Sequence, residues 1–159
     1  MAQEPPNPGR VAWLFPGQGS QRVGMARTLL AAEPALGEWF ADVDVAVDAP
    51  LSCMIAQGPD EALVQTANQQ PAVVAVSLAW LRALEARQRL PEPAFVAGHS
   101  LGQYSALAAV GSLDPLAAVR LVRLRGQLMQ NHGAGAMAAV IGLAPGAVAA
   151  IAAETGAEV

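Results

Sequence analysis

Cysteine is nearly missing: Cys53 stands alone among 159 residues, so the chain forms no internal disulfide and offers neither a Cys-x-x-Cys metal site nor a redox pair. A reducing, cytoplasmic setting is the expectation. Charge is scarce as well, since Asp, Glu, Lys and Arg make up 14% of the sequence, and all 9 basic residues are arginine against 13 acidic ones. A net charge of -4 without any run of like charges argues against a nucleic-acid partner. Aromatic residues are only 4% of the total, which leaves an interior of Ala, Val, Leu and Gly of the α/β kind and speaks against a coiled coil or a fibre. What is abundant is apolar material. At 53% hydrophobic residues, the chain has enough for one domain with a sizeable core, and disorder is excluded.

Targeting signals are also lacking. The start, MAQEPPNPGR, is polar and broken by proline, and the apolar run from Val11 to Phe15 is too short for the hydrophobic region of a secretory signal. From Gly126 to Ala153 no residue is formally charged, a length that invites a membrane-spanning reading. Its Ala and Gly content and the Pro145-Gly146 break favour a buried strand, Met137 to Leu143, followed by a helix. No membrane partner is expected.

Along the chain, short apolar runs alternate with helical stretches. Val11 to Phe15 predicts a buried strand ending at Pro16-Gly17, and Gln21 to Ala32 a helix. After a poorly patterned stretch, Gly58-Pro59-Asp60 starts a short helix, and Pro71 opens a long one to about Arg89. That helix packs by one face, through Val74, Leu78, Leu81 and Leu84, with Arg82, Glu85 and Arg89 spaced as surface ion pairs. Ala94 to Ala97 is a second buried strand, turned by Gly98 into a helix from Ser100 to Val110, and Asp114-Pro115 caps another that reaches about Asn131. Strands alternating with helices predict a parallel sheet with crossover helices. From Gly133 the pattern is strand, helix (Pro145 to Thr155) and the first residues of a further strand, Ala157 to Val159.

Gly98-His99-Ser100-Leu101-Gly102 fits the G-x-S-x-G nucleophile elbow, with an apolar strand before it and a helix after. Glycine is required at 98 and 102 where backbones approach closely, and serine at the tip exposes its hydroxyl beside the free amides of the helix's first turn. The Leu101 amide is placed to help hold an oxyanion. An ordinary capping box, Ser100-x-x-Gln103, explains the same residues equally well. His99 reads as a support beneath the turn, and His132 as a solvated residue at a helix end, so neither is a convincing base. Gly17-Gln18-Gly19 follows the first strand, at the sheet end where ligands of parallel α/β folds bind. At 100° per residue, Ala118, Leu121, Val122, Leu128 and Met129 fall within about 60° of Arg125, while Arg120 and Arg123 point the other way. An arginine on an inward apolar stripe needs a partner: an internal salt bridge, or a substrate carboxylate held by its fork.

Taken together, FPGQGSQ (15 to 21), NQQPAV (68 to 73), GHSLGQYSAL (98 to 107), RLVRLRGQLMQ (120 to 130) and GAMAAVIGL (135 to 143) resemble the malonyl-CoA:acyl carrier protein transacylases. The resemblance implies a parallel-sheet α/β-hydrolase-like large domain over residues 1–131, incomplete, and the start of a ferredoxin-like subdomain over 132–159. It implies Ser100 as nucleophile, the Gln18 and Leu101 amides as oxyanion hole, Arg125 as malonyl carboxylate ligand, and Gln70 and Met129 in the pocket. Gly98, His99 and Gly102 then support the elbow. The substrate is malonyl-CoA, the partner an acyl carrier protein, and no metal or cofactor is called for. Gln103 replaces the glutamate of many members, a change that keeps the capping box and drops a charge. The likeness corresponds to the amino-terminal half or so of that family, whose catalytic histidine lies in its second half, so a truncated, weakly active or inactive protein is expected. A general serine esterase or a non-catalytic carrier-binding protein are the other readings the residues allow.

Overall fold

The computed structural model describes residues 10–88, 90–133, 138 and 140–159. Two short strands, β1 (Ala12–Phe15) and β2 (Phe95–Gly98), pair in parallel, with Ala12 opposite Phe95 and Phe15 opposite Gly98. The crossover between them carries α1 (Arg27–Ala32), α2 (Leu36–Val47), α3 (Leu51–Gln57), α4 (Asp60–Leu63) and the long α5 (Thr66–Ala86). After β2 come α6 (Gly102–Ala109), α7 (Pro115–His132) and α8 (Pro145–Thr155). The result is an α/β fold with a small parallel sheet and many helices.

The core lies around α5, which packs against α7, α6 and α2. Leu29, Val43, Leu51, Ile55, Leu63, Val74, Leu101, Val119 and Val122 are fully enclosed. Local signals explain the later helices: the Asp114 carboxylate accepts from the Ala117 amide at 2.7 Å, Pro115 fills the first position of α7, and Gly156, at φ 70°, closes α8.

Several expectations need correction. The stretch before Gly58 is two helices, α2 and α3, not irregular chain. Trp39, Phe40, Val43 and Val47 form a buried helical stripe there, hidden in the sequence because Val43-Asp44-Val45-Ala46-Val47 alternates like a strand. The helix expected from Gln21 begins only at Arg27. Pro71 does not open α5 but sits inside it, and residues from Ala67 to Val76 are buried all round rather than on one face. Arg82 lies over the Trp39 ring at 4.0 Å instead of pairing with Glu85, and Arg89 is outside the described residues. No strand forms at 140–143 or 157–159, where no strand among the described residues lies alongside to share hydrogen bonds; Met137 is outside the described residues.

Nor are the strands buried. One face of the sheet is open, with Leu14 at 76% and Phe95 at 60% exposure. Beside it, Trp13, Phe15, Trp80, Leu81 and Leu84 border a groove of about 370 Å³. An apolar face with unpaired strand edges favours association. The 159-residue chain is expected to self-associate at micromolar concentration, and Leu14→Glu with Phe95→Glu to restore monomer. Sedimentation across a dilution series measures this; a wild-type chain that stays monomeric throughout refutes it.

Candidate active site

β2 runs into α6 through a single sharp turn, and Ser100 sits at its tip with φ 53°, the left-handed region that costs a non-glycine residue about 1–2 kcal/mol. Such strain at a half-buried serine on the tip of a strand-to-helix turn is the geometry of a nucleophile elbow. The two glycines have the reason the sequence suggested. A Cβ on Gly98 would collide with the Gly102 backbone, and one on Gly102 would stand 2.5 Å from the Phe15 carbonyl oxygen and 2.7 Å from that of Pro16. Gly98→Ala or Gly102→Ala is therefore expected to open the turn at a cost of about 1–3 kcal/mol or more. Thermal melts of the two variants check it, with Gly37→Ala, where no atom lies within 4 Å of the added Cβ and φ is not positive, as the control.

The capping-box reading fails. No side chain caps α6, and the Gln103 amide reaches the Ser100 backbone carbonyl instead, at 3.2 Å. The Ser100 hydroxyl is engaged elsewhere: Arg125 Nη2 donates to Ser100 Oγ at 3.0 Å, and Arg125 Nη1 donates to Gln70 Oε1 at 2.5 Å. Gln70 is wholly buried, and its amide nitrogen contacts Met129 Sδ at 3.3 Å. So α5, the elbow and α7 each contribute to one polar cluster. Arg125 is not the partner of an internal salt bridge; among the described residues the ion pair is Arg87 with Glu33, on the surface. The stripe around Arg125 is only partly inward, since Ala118 and Val122 are buried while Leu121 and Leu128 are exposed.

Gly17 packs against the elbow, where a Cβ would stand 2.9 Å from the His99 carbonyl oxygen, so Gln18 follows directly from a point of contact with that turn. Neither the Gln18 nor the Leu101 amide donates to another described backbone or side-chain group. His99 is exposed rather than covered, although its ring borders Gly17. His132 is exposed at the end of α7. Neither histidine hydrogen-bonds Ser100.

Helical periodicity puts Arg123 on the outward side with Arg120. Arg120 is exposed, but Arg123 turns back onto α5, donating to the Ala67 carbonyl at 2.7 Å and to Asn68 Oδ1 at 2.5 Å. Burial lowers the Arg123 pKa, and the Asp48 charge opposes that shift. The cluster Arg123, Asn68 and Gln130 was missed because it exists only when two helices meet.

Residues 12–154 match the acyl transferase domain. The chain belongs to that family. The malonyl CoA-acyl carrier protein transacylase of Escherichia coli strain K12 is 45% identical over 141 residues, covering 87% of this chain and 45% of the relative. The crystal structure of the acyl-carrier-protein-S-malonyltransferase from Bartonella henselae superposes with a TM-score of 0.83 at 44% identity, over 91% of this chain and 48% of that one. A type II polyketide synthase acyl-carrier protein in complex with its malonyl-transacylase gives 0.72 at 43% identity, over 77% and 39%. This acyl transferase domain thus spans less than half the length of the relatives it matches. No described helix is long and apolar enough to cross a membrane.

Proposed function

We propose that this acyl transferase domain moves a malonyl group from malonyl-CoA to an acyl carrier protein through an ester on Ser100. One observation carries the reading: the Arg125 guanidinium, which pairs with no carboxylate among the described residues, bridges the Ser100 hydroxyl and the buried Gln70 amide. A cation held beside a nucleophile suits an acyl group that brings its own negative charge. A plain esterase gives it no task. The names of the relatives support the same substrate and partner.

In the first half-reaction the Ser100 oxygen bonds to the thioester carbonyl carbon, the carbon–sulfur bond breaks, and the serine proton passes to the departing coenzyme A thiol. In the second, the carrier's thiol attacks the ester and Ser100 recovers its proton. The Gln18 and Leu101 amides stabilise the oxyanion in both steps, where one donor is typically worth roughly 10²- to 10³-fold in rate. Arg125 binds the free carboxylate; Gln70 orients Arg125; Met129 lines the acyl pocket. Gly98, His99 and Gly102 hold the elbow. Thioester-to-ester exchange is redox-neutral and asks for no cofactor or metal, malonyl-CoA being substrate.

With neither histidine against Ser100, we infer that the 159 residues alone transfer slowly. Residues 1–131 are assigned to an α/β-hydrolase-like unit and 132–159 to a ferredoxin-like one, a division in keeping with α8, which buries only Ala152. A cytoplasmic location fits the lone cysteine. The test is mass spectrometry of the peptide containing Ser100 after prolonged exposure to malonyl-CoA: a malonyl increment lost in Ser100→Ala is expected, and an increment that persists in that variant refutes the assignment.

A further inference from the structure

Pro71 lies five residues into α5 and has no N–H, so the Ala67 carbonyl, its partner in a regular helix, is left without its intrahelical donor. The Ala67 amide, in the first turn, also lacks an intrahelical acceptor. Side chains of α7 meet both groups. Arg123 Nη1 donates to the Ala67 carbonyl at 2.7 Å, and Gln130 Oε1 accepts from the Ala67 amide at 3.1 Å. The same Arg123 nitrogen donates to Asn68 Oδ1, whose amide in turn donates to the Ala62 carbonyl at 2.8 Å. Between Arg123 and Gln130 the helices touch backbone to backbone, for a Cβ on Gly126 would stand 2.6 Å from the Thr66 carbonyl oxygen and 2.9 Å from Ala67 Cα.

We propose that Arg123 is a positioning residue for the acyl site: by replacing the hydrogen bond that Pro71 removes, it fixes the first turn of α5 on α7 and so sets Gln70 against Arg125. Gln70 is less than one helical turn beyond Ala67, and Arg125 is two residues beyond Arg123 on the partner helix, so the clasp and the site share the same short pair of segments. A proline there in place of an ordinary residue transfers one main-chain bond from within α5 to between α5 and α7. The distance between Gln70 and Arg125 then depends on a tertiary contact. The role assigned to Gln70 and Arg125 rests on the acyl-binding reading above, but the geometry can be followed without any transfer.

The test uses the 159-residue chain labelled with ¹⁵N and carrying Leu14→Glu with Phe95→Glu, the pair expected to keep it monomeric and taken as the wild-type background, and reads the Arg125 Nε–H and Gln70 side-chain amide resonances and their shifts on titration with malonate. Arg123→Met is expected to move both sets of resonances towards those of solvated side chains and to weaken malonate about tenfold, the scale of a buried carbonyl left unpaired. Pro71→Ala restores a donor at position 71, so the double variant Pro71→Ala/Arg123→Met is expected to return the resonances and the affinity to within about threefold of wild type. Arg123→Lys, which keeps one donor, falls between. If Arg123→Met lowers the melting temperature but leaves the Arg125 and Gln70 resonances in place, Arg123 is merely structural and the proposal fails. Should that variant not fold, the double variant decides: wild-type resonances support the link through the Ala67 carbonyl, and a double variant that is unfolded or unrescued overturns it. Absence of malonate binding by a wild type whose resonances respond to Arg123 overturns the acyl reading and leaves the positioning role standing.

Discussion

Arg125→Ala is expected to slow malonyl loading of Ser100 by about ten- to more than a hundredfold, the equivalent of a lost charge-assisted bidentate contact of roughly 1.5–3 kcal/mol. Acetyl loading should fall less, or rise, because an uncharged acyl group no longer has to lie beside a cation without a counter-charge. The structure adds a second consequence. Arg125 is the donor to Gln70 Oε1, and Gln70 is wholly buried, so the alanine variant also strands a polar atom in the core. A modest fall in melting temperature should therefore accompany the change in acyl preference, and loading rates need to be compared below both transitions. Arg125→Lys keeps the charge but cannot reach Ser100 and Gln70 with one fork, and it should be intermediate at best. Malonyl against acetyl labelling of Ser100 in wild type and both variants is the measurement; an equal loss for the two acyl groups would mean that Arg125 only holds Gln70.

The elbow was legible in the sequence because its constraints are local. An apolar strand, a glycine, a serine and a second glycine four residues after the first define a turn whose steric needs lie within a few residues, and Gly98 and Gly102 meet them as expected. Arg125 was legible for a different reason: helical periodicity places a residue on a face without knowledge of what covers it. Periodicity failed two residues away. Arg123 belongs to the outward face by angle, yet a long side chain can fold back when an acceptor is near, and the acceptor here is a carbonyl that Pro71 released on another helix. Pro71 itself misled because proline is most at home in a helix's first turn, which moved the expected start of α5 past Thr66. Burial of the strands was illegible in principle. Apolar composition says that Leu14 and Phe95 would be better covered, not that anything in these residues covers them.

The purified 159-residue chain is expected to load Ser100 about 10⁴- to 10⁶-fold more slowly than a full-length relative under the same conditions, the range seen when members of a serine triad are removed. The physical ground is the proton. A serine hydroxyl is a weak nucleophile until a base takes its hydrogen, and in this structure Ser100 Oγ accepts from a cation while neither histidine hydrogen-bonds it. Arg125 offers partial compensation, since a guanidinium beside the oxygen favours the alkoxide, but it accepts no proton itself. The pH dependence separates these cases. With solvent hydroxide as the only base, the loading rate should rise about tenfold per pH unit with no plateau near 6.5, the ordinary histidine value. Added imidazole should accelerate loading in proportion to its concentration, as a substitute for the base. A plateau near neutral pH, lost in His99→Ala or in His132→Ala, would show that one of these histidines reaches Ser100 in solution and that the chain carries its own base.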